Sequence, residues 1–577
     1  MTNDETRSTG DSDSPAAAAE RQLLRQARAA GRLATLGVFV KLSGPGWLQS
    51  AITLGGGSLA ASLYLGVLGG TSLLWLQPLA MALGIVMLSA IGYVTLSTGE
   101  RPFRAINRHV SPVLGWGWAI ATLMANLVWA LPQFSLATAA VRQNLLPNLV
   151  GASAMADNPA NLIVCTGVCA ACIVIVWFYD SGNWGIKLFE IVLKVMVAVI
   201  VICFFGVVIK ISLVTGSVDF ASVLKGLIPN PKLLVSPAKT FAPFIDQVDR
   251  QFRQFWVDAI VGEQRKVMVT AFATAVGINM TFLLPYSMLR RGWDREFRGL
   301  AIFDLATGLF VPFLLATGCV VVASAAQFHT RPASGLLDES SESVNAVVAE
   351  KNIVARYKKI VTARLGYELG KESFDMLSPE EKNQRIEALP AAEKRLAAML
   401  VKRDAFDLAQ SLSALTGRVF AQYVFGIGVL GIGASTIIIL MLINGFVVCE
   451  ILGAEPQGWA HRLGSLLPCV GMLGPFIWTG GRAQFWLAVP TSMFGMTLLP
   501  IAYVTFCLLM NQKSLLGDSM PRGVSRLLWN VLMAAAIAAA GLGSIWSIWS
   551  KLGLLGLAIP GGFVLLVLAE RLIAGRE

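Results

Sequence analysis

The side chains able to ligate a metal ion or carry a proton are few and poorly placed for catalysis. Among 577 residues there are only 3 histidines and 8 cysteines. His109, His329 and His461 fall at the ends of apolar segments or in loops, far apart in sequence, so no zinc or catalytic constellation assembles from them. Cys165, Cys169 and Cys172 share one helical face. A soft-metal site there would need further soft or imidazole ligands, and small side chains packing between helices explain the spacing better. None of the cysteines lies in the long polar loops, so no disulfide framework is implied. With no nucleophile–base pair and no cofactor motif, the chain is not expected to be an enzyme.

Two carboxylates inside apolar surroundings do stand out. Glu190 follows Lys187 and precedes Lys194 at i, i+3, i+7, a spacing that lets the three pair along one helix face and suits a structural or gating role. Asp304 comes shortly after Arg290, Arg291 and Arg295, and an interfacial salt bridge is expected. The more telling feature is backbone. In "SAITLGGGSLAASL", residues 50–63, three consecutive glycines interrupt an apolar run, and each costs a helix about 1 kcal/mol relative to alanine. A second interruption is expected at Pro285 in "GINMTFLLPYSMLRRG", because proline removes a helix hydrogen bond and clashes with the preceding turn. Freed backbone groups at bilayer depth are tolerated where they line a protein cavity, and paired breaks point to a transporter's binding site.

The elements that must position these breaks are membrane spans. The chain is 55% hydrophobic and 14% charged, against about 25% charged in soluble domains. The pattern predicts an all-α polytopic membrane protein of about 12 transmembrane helices, near 43–68, 71–94, 113–138, 161–178, 186–212, 267–289, 300–326, 418–445, 463–480, 484–511, 524–548 and 553–571. Arg101, Arg104 and Arg108, then Arg290, Arg291, Arg295 and Arg298, then Lys513, Arg522 and Arg526 fall in loops on one side. The other side's short loops hold isolated charges such as Arg142, Arg482 and Lys551. By the positive-inside asymmetry the N and C termini are expected in the cytoplasm, in an integral protein of the plasma (inner) membrane. The net charge of +11 then reflects topology and anionic lipid of the bilayer and requires no nucleic-acid partner.

The organisation read from this is a cytoplasmic tail over 1–42, polar and disordered at its start, and a first five-span repeat over 43–212. An external loop over 213–266 leads to spans six and seven over 267–328. An external charged insertion follows over 329–417, then spans eight to ten over 418–511, and two accessory spans with a short tail over 512–577. Within the insertion Ser378 and Glu381 have the spacing of a capping box, and one or two surface helices are expected.

Several segments, in order, resemble the NRAMP (natural resistance-associated macrophage protein) divalent-metal transporters: "GPGWLQSAITLGGGSLAASLYLG", "WGIKLFEIVLK", "FLLPY", "GIGASTIIILMLINGFVVCEILG" and "LLPIAYVTFCLLMNQKSLLG". The resemblance implies two inverted five-helix repeats with discontinuous helices 1 and 6. It also implies a site at Thr53, Gly55, Gly56, Gly57, Ser58, Thr281, Leu284, Tyr286 and Asn126, with Pro285, Glu190 and Asp304 as gating or structural residues. The family's metal-binding Asp is Gly55 here, its Asn is Ser58, and its Met-Pro-His is Leu284, Pro285 and Tyr286. Two acidic span-three positions associated with proton transfer are Leu123 and Asn126, and Ser492 stands near a span-ten glutamine of the family.

Stripping a divalent ion of water without an anion in return is costly, and thioether sulfur is what favours later transition metals. The expectation is therefore a transporter of a metal cation, divalent and largely hydrated, not selective for transition metals, working by alternating access without proton coupling. The identity of a bound metal is left open. The alternatives are a small organic solute such as an amino acid, since half-helix N-termini favour anionic groups, or a non-transporting sensor whose midplane is filled by Leu54, Phe282 and Leu284.

Overall fold

The computed structural model describes residues 15–179, 183–215, 219–333, 335–337, 351–403, 420–477 and 488–574. Among these the protein is helical, without a strand. Arg482 and the first residues of the tenth expected span lie outside them. Among the described residues nine helices are long and apolar enough to cross a bilayer, or ten if one bent pair counts as a single span.

That bent pair is the glycine segment. Helix α3 (Pro45–Thr53) and helix α4 (Gly56–Gly69) meet at 59°. Leu54 (φ −77°, ψ 48°) and Gly55 (φ −93°, ψ 177°) leave the helical region between them. Two helices ahead, the amphipathic α1 (Pro15–Ala30) and the more uniformly apolar α2 (Arg32–Leu42), pack on the basic end of the bundle, where Arg25 pairs with Glu296. Helices α5 (Leu76–Thr98), α6 (Pro102–His109), α7 (Pro112–Ala140), α8 (Asp157–Phe178) and α9 (Asn183–Thr215) follow.

The sixth expected span differs from its sequence reading in two ways. Helix α10 runs Arg250–Ala275 and helix α11 Ile278–Arg290, so residues 250–266, expected as loop, extend the span by more than four turns. Their charges are what concealed them. The interruption is at extended Val276 (φ −139°, ψ 107°) and Gly277 (φ −83°, ψ 163°), not at Pro285, which sits inside the continuous helix α11. A β-branched residue and a glycine are both poor helix formers, while an interior proline in a bundle can be accommodated by its neighbours.

Beyond the basic loop come α12 (Arg298–Asp304), one wider π turn over Leu305–Phe310, and α13 (Val311–Phe328). The insertion holds more helix than expected, including α14 (Lys351–Leu369), α15 (Pro379–Glu387, opened by the Ser378–Glu381 capping box) and α16 (Ala391–Leu400). It docks on the end of the bundle opposite the basic loops. Arg364 pairs with Glu393, which accepts from Trp256 Nε1 of α10 at 2.9 Å, and Tyr64 of α4 donates to Leu400 O at 3.2 Å.

Helix α17 (Phe425–Ile451) is the most deeply buried long apolar helix of the second half. The expected ninth span is not one helix as far as it is described: α18 (Gly458–Leu466) passes into a 3-10 stretch over Leu467–Leu473. Helix α19 (Ala488–Met510) follows, then α20 (Gly523–Ala574), which contains a sharp kink at Gly553 (φ 60°, ψ −150°). Asn530 of α20 pairs with Asn511, while Glu570 accepts from Ser111 Oγ at 2.7 Å. Both partners lie at the basic end, where His109 also meets Ser514. A straight helix would separate residues 530 and 570 by about 60 Å, so α20 is two antiparallel arms folded at Gly553.

Candidate functional site

The break between α3 and α4 opens onto a cavity with about 420 Å³ of empty space, its mouth included. Thr53, Gly55, Gly57 and Ser58 line it from the broken span, Trp129 and Gln133 from α7, and Thr274, Gly277, Asn279 and Met280 from the second break. Thr436 of α17 and Thr491 and Ser492 of α19 complete the polar part. Both interruptions therefore face one space. Close packing explains the glycine tract: a Cβ on Gly57 would stand 2.8 Å from Thr274 Cγ2 and 2.9 Å from Ser492 Oγ.

The hydrogen bonds around the break are local and neutral. Gln133 Oε1 accepts from Gly56 N at 2.9 Å, satisfying a first-turn donor of α4. Ser58 Oγ donates to Thr53 O, the carbonyl freed by the break. Thr53 Oγ1 donates to Met280 Sδ at 3.1 Å. Asn279 Oδ1 accepts from Met280 N at 2.9 Å, while its Nδ2 is buried without a partner. No lining residue carries a charge, and among the described residues no three His, Cys, Asp or Glu converge to hold a metal ion.

Of the residues expected at the site, Thr53, Gly55, Gly57 and Ser58 line the cavity and Gly56 is turned to Gln133. Four others are elsewhere. Asn126 Nδ2 donates to Asn444 Oδ1 at 2.6 Å between α7 and α17. Thr281 Oγ1 accepts from Trp118 Nε1 at 3.0 Å. Tyr286 is stacked between Phe282 (4.7 Å) and Phe446 (5.6 Å) in an aromatic column that continues from Trp118 to His461. Leu284 lines a separate small cavity with Gly92 and Arg298. The reason is the position of the second break: with α11 starting at Ile278, residues 281–286 lie inside a helix, and Met280 supplies the one thioether in the cavity.

Glu190 and Asp304 form a network at the basic end instead of facing the cavity. Glu190 does not pair with its helix neighbours Lys187 and Lys194. It accepts from Arg291 at 2.6 and 3.1 Å, and Arg291 also donates to Leu42 O at 2.7 Å. Lys194 reaches Ser43 O at 2.9 Å. Asp304, expected in a salt bridge with the arginines, instead caps α3: it accepts from Ser43 Oγ, from Gly44 N at 3.3 Å and from Gly46 N at 2.6 Å. A carboxylate there satisfies orphan N–H groups and favours the positive end of the helix dipole.

Trp129, Gln133, Thr274, Met280, Thr436 and Thr491 were not singled out by the sequence. Gln133 was discoverable as an amide beside Pro132 in an apolar span. Trp129 and Met280 look like ordinary span residues.

The sequence model for the natural resistance-associated macrophage protein-like (Nramp) family matches residues 46–348 and 391–550. No curated protein sequence matches the chain significantly. Among solved structures the fold is similar to that of the Eremococcus coleocola manganese transporter. For a histidine-to-alanine variant the identity is 15%, with 93% of this chain and 94% of that chain covered and a TM-score of 0.60. For the same transporter in complex with an aromatic bis-isothiourea substituted compound the identity is again 15%, over the same coverage, with a TM-score of 0.59.

Proposed function

Because the chain belongs to the Nramp family, we propose that it is a membrane transporter that carries a divalent metal cation in a largely hydrated state, by alternating access and without proton coupling. The observation that carries this reading is the cavity at the paired breaks, where hydroxyl and amide groups stand among apolar side chains and no carboxylate is present. Hydroxyl and amide groups can hold the water shell of an ion such as magnesium, which dehydrates reluctantly. They cannot replace that shell, and a single thioether already engaged by Thr53 is a weak basis for transition-metal selection. Asn126, bonded to Asn444, offers no titratable group for a proton path. The network of Arg291, Glu190 and Asp304 suits the closed inner gate of such a cycle, with the N and C termini on the cytoplasmic side of the plasma membrane.

Uptake into proteoliposomes tests this, with magnesium, manganese and calcium each offered under a negative internal potential and internal pH followed. Magnesium flux exceeding manganese flux without a pH change is expected. Manganese flux in step with acidification would refute the reading.

One observation favours a second substrate class. The unpartnered Asn279 Nδ2 is a donor at a cavity edge and suits a carbonyl or carboxylate of a small organic solute. No flux of the three cations, with thermal stabilisation by an amino acid, would select it.

A further inference from the structure

Trp129 stands where three helices meet. It projects from α7, lines the cavity, and donates from Nε1 to Thr491 O of α19 at 3.0 Å. Its six-membered ring occupies the space of side chains missing from two other positions. A Cβ on Gly277, at the second break, would stand 2.5 Å from Cη2, and a Cβ on Gly495 of α19 would stand 2.1 Å from Cζ2. Real Cβ contacts are never that short, so the ring is seated in a slot that both glycines make. Gly277 and Gly495 are buried, whereas Trp129 is partly accessible. A residue held by a hydrogen bond at one edge and by two backbones at the other cannot swing aside without losing its packing.

Gly55, Gly57 and Thr436 also line the cavity. With no charge on any wall, the cavity can discriminate only by size and by neutral hydrogen bonds. We propose that Trp129 is the specificity-determining residue of this site: a fixed wall, seated on Gly277 and Gly495, that sets the largest solute the cavity admits. The inference depends on the transport reading above only for what passes, not for the size limit. A smaller side chain at 129 admits bulkier solutes, and a methyl group at 495 drives the ring inward and lowers the limit.

The test separates the two claims. Full-length protein in detergent carries Ser492→Cys on the cavity wall and is modified with a small aminoethyl methanethiosulfonate or a bulky rhodamine-bearing one, the parent chain serving as blank. With Trp129 present the small reagent reacts faster by about tenfold or more, the scale of discrimination that one misfitting methylene gives. Trp129→Ala brings the two rates together and Trp129→Phe lies between. Gly495→Ala widens the gap. If Trp129→Ala does not fold, the Phe and Gly495 variants carry the comparison. An unchanged ratio in these variants overturns the wall, whatever the flux. Converged labelling in protein that passes none of magnesium, manganese or calcium leaves the wall standing and overturns the cation reading.

Discussion

Gly46 N–H donates to Asp304 Oδ2 at 2.6 Å, and the two residues are so close that a Cβ on Gly46 would stand 2.2 Å from the Asp304 carbonyl oxygen. One half-helix thus begins on the carboxylate of another, across 258 positions of sequence. Asp304→Ala removes the cap and should cost about 1–2 kcal/mol, the upper range for an N-cap. Gly46→Ala should cost more, because backbone and not a flexible side chain stands in the way. Thermal unfolding in detergent would order the variants. A Gly46→Ala protein more stable than Asp304→Ala would show that α3 can shift away from Asp304.

Arg291 and Glu190 form a two-point ion pair whose side chains are 20% and 9% exposed. Breaking a buried pair typically costs about 3–5 kcal/mol, and the exposure of Arg291 places this one near the bottom of that range. Glu190→Ala and Arg291→Ala should each destabilise, and the double variant should lose less than their sum. Strict additivity in a double-mutant cycle would mean that the pair is not coupled.

His329 links the insertion's start to the bundle. Nδ1 is 2.9 Å from Val67 O, and Nε2 is 2.8 Å from Thr240 Oγ1. Burial lowers its pKa below the ordinary value of 6.5, with the Val67 carbonyl partly opposing. The folded protein therefore favours the neutral ring. The stability contributed is fully present above about pH 6.5, the unfolded value, and is lost as pH falls through the lower folded value. Proteolysis around residues 329–337 should accelerate in that window, and His329→Gln should flatten the profile. Equal acid sensitivity in the variant would exclude His329 as the cause.

A carboxylate can be put back at the break only if room is made for it. The backbone of Gly55 is extended, which any residue adopts, but its Cβ would meet Thr436 Oγ1 at 2.8 Å. Gly55→Asp alone should fold poorly, whereas Gly55→Asp with Thr436→Ala should bind manganese at least about tenfold more tightly than the parent, since an anionic ligand offsets lost hydration. Isothermal titration would measure this. No gain in the double variant would mean that Asp at 55 does not reach the ion.

How much of this was legible depended on whether the signal was local. Three glycines in a row, and the Ser378–Glu381 pair, act on their own backbone, and both the first break and the capped helix lie where the sequence puts them. Pro285 misled because its effect depends on neighbours: the bundle absorbs it, while the modest Val276–Gly277 pair breaks the helix. The polar stretch at 250–266 looked like a loop because some of its partners, Glu393 for Trp256 and Lys402 for Glu263, come from an insertion more than a hundred residues away. Glu190 and Lys194 had an obvious short-range pairing and took long-range ones. Trp129 and Met280 had no local signature, since in an apolar span only the third dimension separates a cavity wall from a lipid-facing side chain.

The fold at Gly553 has a consequence for parity. Its φ of 60° and ψ of −150° belong to a region open to glycine and closed to side-chain-bearing residues, yet nothing stands within 4 Å of where a Cβ would be. That conformation returns the last arm to the end of the bundle it left, where Glu570 accepts from Ser111 Oγ. The most apolar stretch of the pair is only 6% buried by protein, while the first arm buries Met533, Ala536 and Ala540. One residue thereby decides whether the number of passes is even or odd, and so whether a group joined after residue 574 shares a compartment with the 511–522 loop.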